Sequence, residues 1–242
     1  VDVTPQSQFY NQKVKPISNA GNKVCVIISD AFRYEAAEEM IGRISREKRY
    51  TASLDHMLSA LPSYTQLGMA SLLPNNGADL SLSDTDGSVA IGGVSTQGTA
   101  NRDKLLKLAL GEVACAQQAK TILDMTQAES RDLFKSHEVI YIYHNRIDHA
   151  GDKMQSEGEA FDATERTFDE LLRIIKKVIN NFGTILITAD HGFIYQNKPI
   201  EESDFLAAEV KGEVHYKDRR FLLGKKLAVP DSFKVFSSEQ LG

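Results

Sequence analysis

The sequence predicts an α/β domain with a mostly parallel central sheet and helices on both of its faces. Two observations carry that prediction: three apolar runs that each end in a metal-ligating residue type, and a strand–helix–strand spacing late in the chain. Val24-Cys25-Val26-Ile27-Ile28-Ser29 runs into Asp30. Val139-Ile140-Tyr141-Ile142-Tyr143 runs into His144, with Asp148, His149 and Asp152 just beyond. Ile185-Leu186-Ile187-Thr188-Ala189 runs into Asp190, His191 and Gly192. Short, nearly continuous apolar runs fit strands buried on both faces. In an open α/β sheet, ligands bind beyond the carboxyl ends of the strands. Three such ends delivering carboxylates and imidazoles to one edge point to a site for metal ions.

In chain order, residues 1–22 are polar, with Pro5, Pro16 and an Asn-Ala-Gly-Asn turn, and read as an incoming linker or docking segment for Phe9 and Tyr10. A single domain then spans 23–242. Its first strand, Lys23 to Ser29, is followed by apolar residues at helical spacing from Phe32 to Ile41. In Pro62-Ser63-Tyr64-Thr65-Gln66-Leu67-Gly68-Met69-Ala70, either Ser63 or Thr65 is placed to cap a helix. Residues 75–100 are rich in Gly, Ser, Asp and Asn and read as a long functional loop. Asn101 to Met125 is mostly helical in pattern, and Thr126-Gln127-Ala128-Glu129 is a capping box for a further helix. Phe161 to Ile179 carries a clear apolar helix stripe, closed by Asn181-Phe182-Gly183, and the third strand begins at once. A strand, a helix and a strand with short joins imply a parallel crossover. Beyond Gly192, residues 193–195, 214–216 and 220–223 read as short hairpin strands.

The 242 residues are 42% hydrophobic, enough for a sizeable core, and the net charge of −5 argues against a surface that coats nucleic acid. Of the two cysteines, Cys25 sits mid-strand, and neither belongs to a CxxC pair. That excludes a cysteine zinc site and fits a reducing cytosol. No apolar run approaches ~18 residues, so the chain reads as soluble, without a membrane span. The missing initiating Met suggests a piece of a longer protein.

Asp and His together suit zinc or manganese better than calcium, which prefers oxygen alone. Adjacent on a strand, Asp190 and His191 would face opposite sides; Gly192 permits the turn that lets both reach one ion. Asp148 and Asp152 share a face if they open a helix. For any one of these residues a cap or a solvated loop end is the plainer reading, and only the three ends together favour a site. Thr65 adds a hydroxyl that a metal could activate as a nucleophile, against the plainer reading of an N-cap. Arg33 and Arg102 are candidates for gripping phosphate oxygens through their forked donors, the alternative being ordinary surface arginines.

These blocks carry a resemblance. Ser-Asp-Ala-Phe-Arg-Tyr-Glu, Leu-Pro-Ser-Tyr-Thr-Gln-Leu-Gly-Met-Ala, Ser-Thr-Gln-Gly-Thr, Tyr-Ile-Tyr-His-Asn-Arg-Ile-Asp and Thr-Ala-Asp-His-Gly-Phe resemble the PglZ family of BREX bacteriophage-exclusion systems, within the alkaline phosphatase superfamily. The resemblance covers residues 23–224 and implies an alkaline-phosphatase-like core. It implies that Asp30, Asp190 and His191 hold one metal, with Thr65 as nucleophile and bridging ligand. It implies a second metal on Asp148, on Asp152 (where many relatives outside PglZ carry His) and on a late His, for which His215 stands in sequence; His144 and His149 are the fallback ligands. Thr96, in the long loop, joins Arg33, Arg102 and His144 as substrate-binding candidates.

The implied activity is hydrolysis of a phosphoester with two divalent ions, zinc in first place and manganese second. A phosphodiesterase acting on nucleotides or nucleic acid is preferred, because a phage-exclusion setting offers those substrates. The implied setting is cytoplasmic, beside other proteins of the exclusion complex. A monoesterase or sulfatase would use the same core. The rival of another class is a decayed scaffold subunit that binds no metal.

Overall fold

A computed structural model of the chain describes residues 3–75, 79–83, 85–147, 157–192, 210–218 and 221–237. Alternation along the first strand, β1 (Val24–Ser29), decides its layering. Cys25 and Ile27 enter one apolar cluster and Val24, Val26 and Ile28 the other, so the strand is buried on both faces. Each fully buried aliphatic side chain contributes about 1.5–3 kcal/mol, which makes this run the axis of the core.

The N-terminal segment forms a 3₁₀ turn (Gln6–Gln8), a π-helical turn (Tyr10–Val14) and α1 (Lys15–Asn19), and it buries Phe9, Tyr10 and Val14. After β1 come α2 (Tyr34–Arg46) and α3 (Thr65–Ser71). Three short strands follow, β2 (Leu80–Leu82), β3 (Val89–Ile91) and β4 (Val94–Ser95). Then come α4 (Gly98–Leu110), β5 (Ala114–Gln118), α5 (Ala119–Asp124) and α6 (Gln127–Ser136). Next stand β6 (Val139–His144), α7 (Glu157–Val178) and β7 (Thr184–Thr188). A hairpin of β8 (Lys211–Lys217) and β9 (Leu222–Ala228) completes the described elements.

The main sheet has the order β5-β6-β1-β7 and every pairing in it is parallel. α2 and α7 cover one face with Met40, Ile44, Phe168 and Leu171, while α3 and α4 cover the other with Met69, Leu105 and Leu106. The expected α/β class with helices on both faces is the observed one. Register places Ser29 opposite His144 and Ile28 opposite Thr188, so the three apolar runs end at one level of one edge.

The structure departs from the sequence reading in four places. Ala114–Gln118, read as helix, is strand β5, because pairing with β6 outweighs the weak β-propensity of Ala-Cys-Ala-Gln-Gln. The stretch 75–100, read as loop, holds the small antiparallel sheet β2-β3-β4 before α4 begins at Gly98. β7, read as fully buried, is half-buried at all five residues, since it borders the sheet among the described residues. The residue that caps α3 is Tyr64, with no side-chain capping bond, so neither Ser63 nor Thr65 is an N-cap. The capping box at Thr126 and Glu129 forms as expected, with both reciprocal bonds present.

Candidate metal centre

β1 delivers Asp30 and then turns sharply. Ala31 adopts a left-handed backbone with φ 59°, a conformation that costs a residue bearing a Cβ about 1–2 kcal/mol. That turn aims the Ala31 N–H at Asp190, whose Oδ1 accepts it at 3.1 Å. β7 stops at Thr188, and the chain beyond it has left the ladder when it reaches Asp190 and His191. The two side chains need not face opposite ways there, and one donor atom from each of Asp30, Asp190 and His191 comes within 4.8 Å of the others. All three residues are buried.

The imidazole is oriented by its far nitrogen. His191 Nδ1 lies 3.0 Å from the Gly192 carbonyl oxygen, which can only accept, so Nδ1 carries the proton. The Nε2 lone pair then faces inward, 3.5 Å from Asp30 Oδ1 and 3.6 Å from Asp190 Oδ2. An imidazole whose far nitrogen is pinned by a carbonyl, so that its other nitrogen turns a lone pair towards carboxylates, is the usual arrangement of a metal-binding histidine. Thr65, at the first turn of α3, brings its Oγ1 to 3.1 Å from the same Nε2 and is half-buried.

The electrostatics favour a positive charge among these donors. Burial pushes the Asp190 carboxyl up to about 6, opposed by the N–H groups of Ala31 and His191 and by its contact with Asp30. Asp190 Oδ2 is buried and has no hydrogen-bond partner among the described residues. A buried carboxylate oxygen without a partner is costly and is usually matched by a cation. Two carboxylates and an imidazole lone pair form a hard, mixed O/N donor set suited to zinc or manganese. These residues therefore fit a divalent ion.

Two residues that the sequence reading did not single out shape this centre. Gly68 of α3 packs so closely that a Cβ there would stand 2.2 Å from the Asp190 carbonyl oxygen. Gln6 donates its side-chain amide to the carbonyls of Ala189 and Asp190. Neither forms a recognisable local pattern; Gly68 alone was readable as a glycine inside a helix. Tyr64, next to Thr65, donates its hydroxyl to the Gly87 carbonyl and packs on Phe221 and Tyr216 of the β8–β9 hairpin region.

The remaining described candidates lie outside that three-residue cluster. Arg33 pairs with Glu35 at 2.7 Å and lines a cavity of about 890 Å³ that reaches Asp190 and His191. Thr96 is buried and donates its hydroxyl to the Val89 carbonyl. Arg102 donates Nε to the Thr96 carbonyl, and its guanidinium lies 4.5 Å from the centre of the Tyr143 ring. His144 is held between Ser29 Oγ and Glu170 Oε2, and burial lowers its pKa against the pull of Glu170. His215, on β8, lies outside the Asp30–Asp190–His191 cluster, its Nε2 4.0 Å from Glu213. Asp148, His149 and Asp152 fall outside the described residues.

A family model described as the BREX system PglZ alkaline phosphatase-like domain matches residues 9–242. The chain belongs to the PglZ family. It is 43% identical over 235 residues to the alkaline phosphatase-like protein BrxZ of Escherichia coli O9:H4 (strain HS), covering 95% of the chain and 27% of that protein. It is 34% identical over 223 residues to the alkaline phosphatase-like protein PglZ of Bacillus cereus (strain H3081.97), covering 91% of the chain and 26% of that protein. The chain thus spans about a quarter of the length of the curated relatives it matches. Alkaline phosphatase-like folds are usually metal-dependent, and the buried Asp/Asp/His group of this PglZ domain could bind a metal. No helix among the described residues is long and apolar enough to cross a membrane.

Proposed function

We propose that this domain is a metal-dependent phosphoester hydrolase in which Asp30, Asp190 and His191 hold one divalent cation and Thr65 is the nucleophile. The observation that carries the reading is the 3.1 Å approach of Thr65 Oγ1 to His191 Nε2, which sets the only hydroxyl of α3's first turn against the metal-binding cluster. When bound, the cation supplies positive charge that would favour the alkoxide form of the hydroxyl and offset negative charge on the phosphoryl oxygens. Thr65 attacks phosphorus and displaces the alcohol, and water then releases the threonine ester. A second ion on Asp148, Asp152 and His215, with zinc preferred to manganese, belongs to the same proposal. So do Arg33, Thr96 and Arg102 as substrate-side residues, of which Arg33 alone among the three lines the cavity at the cluster; His144, with both ring nitrogens engaged by Ser29 and Glu170, is left out of that set.

Phosphodiesters are the preferred substrates, with nucleotides or nucleic acid as the natural class and a cytoplasmic phage-exclusion complex as the setting. That preference rests on the family's BREX description. The test is metal analysis of the purified protein together with turnover of a bis-aryl phosphate diester and the matching monoester. Bound zinc or manganese with faster diester cleavage is expected. A protein that holds neither metal and gains no activity when they are added would instead be a scaffold subunit.

A further inference from the structure

We propose that Gln6 is a positioning residue for the metal-binding cluster, fastening the end of β7 to the segment that leads into Thr65. The inference rests on the hydrolase reading for its functional meaning and on geometry for its substance. The Gln6 Nε2 donates to the Asp190 carbonyl at 2.7 Å and to the Ala189 carbonyl at 3.0 Å. Its Oε1 accepts the Ala60 N–H at 3.1 Å. Both carbonyls can only accept and the backbone N–H can only donate, so the amide has one possible orientation. The side chain is 4% exposed, so water does not compete for these bonds.

The need for such a residue follows from where β7 ends. Its ladder with β1 closes at Thr188, opposite Ile28, and the next two carbonyls lie beyond that ladder. Buried carbonyls off the ladder must find donors elsewhere. A carboxamide is the neutral side chain that offers two N–H groups from one atom and an acceptor beside them. The backbone of the same segment is tied down as well. Gln6 N–H donates to the Leu58 carbonyl at 2.8 Å, Leu58 N–H donates to the Thr4 carbonyl at 2.9 Å, and Pro5 and Leu58 form a parallel bridge.

Gln6 therefore joins two pieces of chain that share no strand pairing: 58–60, which precedes Thr65, and 189–190, which carries the cluster. The Asp190 carbonyl also lies against Gly68 of α3, where a Cβ would stand 2.2 Å from its oxygen. The peptide that bears the Asp190 carboxylate is thus gripped between the N-terminal segment and the nucleophile's helix. Loosening either grip moves carboxylate and hydroxyl relative to one another.

The test compares Gln6→Met with a control, Phe9→Leu, in the intact protein. Gln6→Met keeps the length and loses all three side-chain bonds; Phe9→Leu trims a buried side chain of the same segment that packs on the sheet. In metal-free protein, hydrogen exchange should rise about ten-fold for Gln6→Met in peptides spanning 57–61 and 188–192, with β1 and β6 unchanged. Mn²⁺ affinity, measured by titration calorimetry, should fall about 10- to 100-fold for Gln6→Met and stay within about two-fold for Phe9→Leu. If Gln6→Met does not fold, Gln6→Glu replaces it. That variant keeps the acceptor for Ala60 and turns lone pairs towards the two carbonyls, so 188–192 should loosen while 57–61 stays protected. Unchanged exchange at 188–192 overturns the proposal, as does an equal response from Phe9→Leu. A wild-type protein that binds neither Mn²⁺ nor Zn²⁺ sinks the hydrolase reading alone, because the metal-free exchange result still decides what Gln6 holds.

Discussion

Two buried polar clusters begin one residue apart at the same sheet edge and are built in opposite ways. The cluster that starts at Ser29 is closed around its imidazole and its carboxylate. Ser29 Oγ lies 3.0 Å from His144 Nδ1, His144 Nε2 lies 2.8 Å from Glu170 Oε2, and the other Glu170 oxygen takes Arg146. Although burial pushes the Glu170 carboxyl up, Arg146 and His144 hold it below its ordinary range. The cluster that starts at Asp30 is open. Its donors converge on one another, no Lys or Arg pairs with Asp190 among the described residues, and burial drives Asp190 up to about 6. A structural network consumes its polar atoms, whereas a ligand site leaves them facing inward at a cost that the ligand offsets.

The sharpest way to break the comparison is to remove the open cluster's nucleophile. Thr65→Ala should lower diester turnover by at least about 10³-fold while bound metal, read by mass spectrometry, stays at the wild-type level. Full activity in that variant would end the nucleophile assignment. Asp190→Asn should abolish metal binding and yet leave the metal-free protein more stable at pH 7, by on the order of 2–3 kcal/mol. The sign follows from a folded pKa near 6 against an ordinary 3.8. Between those values the folded state binds more protons than the unfolded one, so metal-free stability falls as pH rises from about 4 to about 6. Chelator-treated wild type should show that slope in thermal melts, and Asp190→Asn should flatten it.

Gly68→Ala tests the close approach of α3 to the Asp190 carbonyl. With 2.2 Å available for the new carbon, the helix must shift, costing about 1–3 kcal/mol in denaturant unfolding and a loss of turnover larger than the loss of stability implies. The smallest effect belongs to the closed cluster. Glu170→Gln should cost about 1–2 kcal/mol through its partly exposed pair with Arg146 and leave metal affinity within about two-fold. A large loss of metal there would show that the two clusters are not separate.

Much of the sheet was legible because its strands are short apolar runs with abrupt polar ends, a signal carried by a few neighbouring residues. β5 was not, since Ala-Cys-Ala-Gln-Gln has no strand preference of its own and is strand only beside β6. The same limit applies to the centre. Asp30, Asp190 and His191 announced themselves as residues that follow strands, and Thr65 as a hydroxyl after Pro62 and Ser63. Gln6 gave no signal, because a glutamine in a polar stretch ahead of the first strand looks the same whether or not it reaches carbonyls more than 180 positions away.

By itself, the sequence determined which residues stand at strand ends and which chemistry they bring, since hydrophobic period and side-chain type are local properties. Only the tertiary structure decided that Ser29 lines up with His144 and Ile28 with Thr188, and so that Asp30 and Asp190 meet. It also decided which carboxylate was neutralised and which was left open. That outcome depends on distances and burial between residues far apart in the chain, and a Coulomb interaction is set by separation in space.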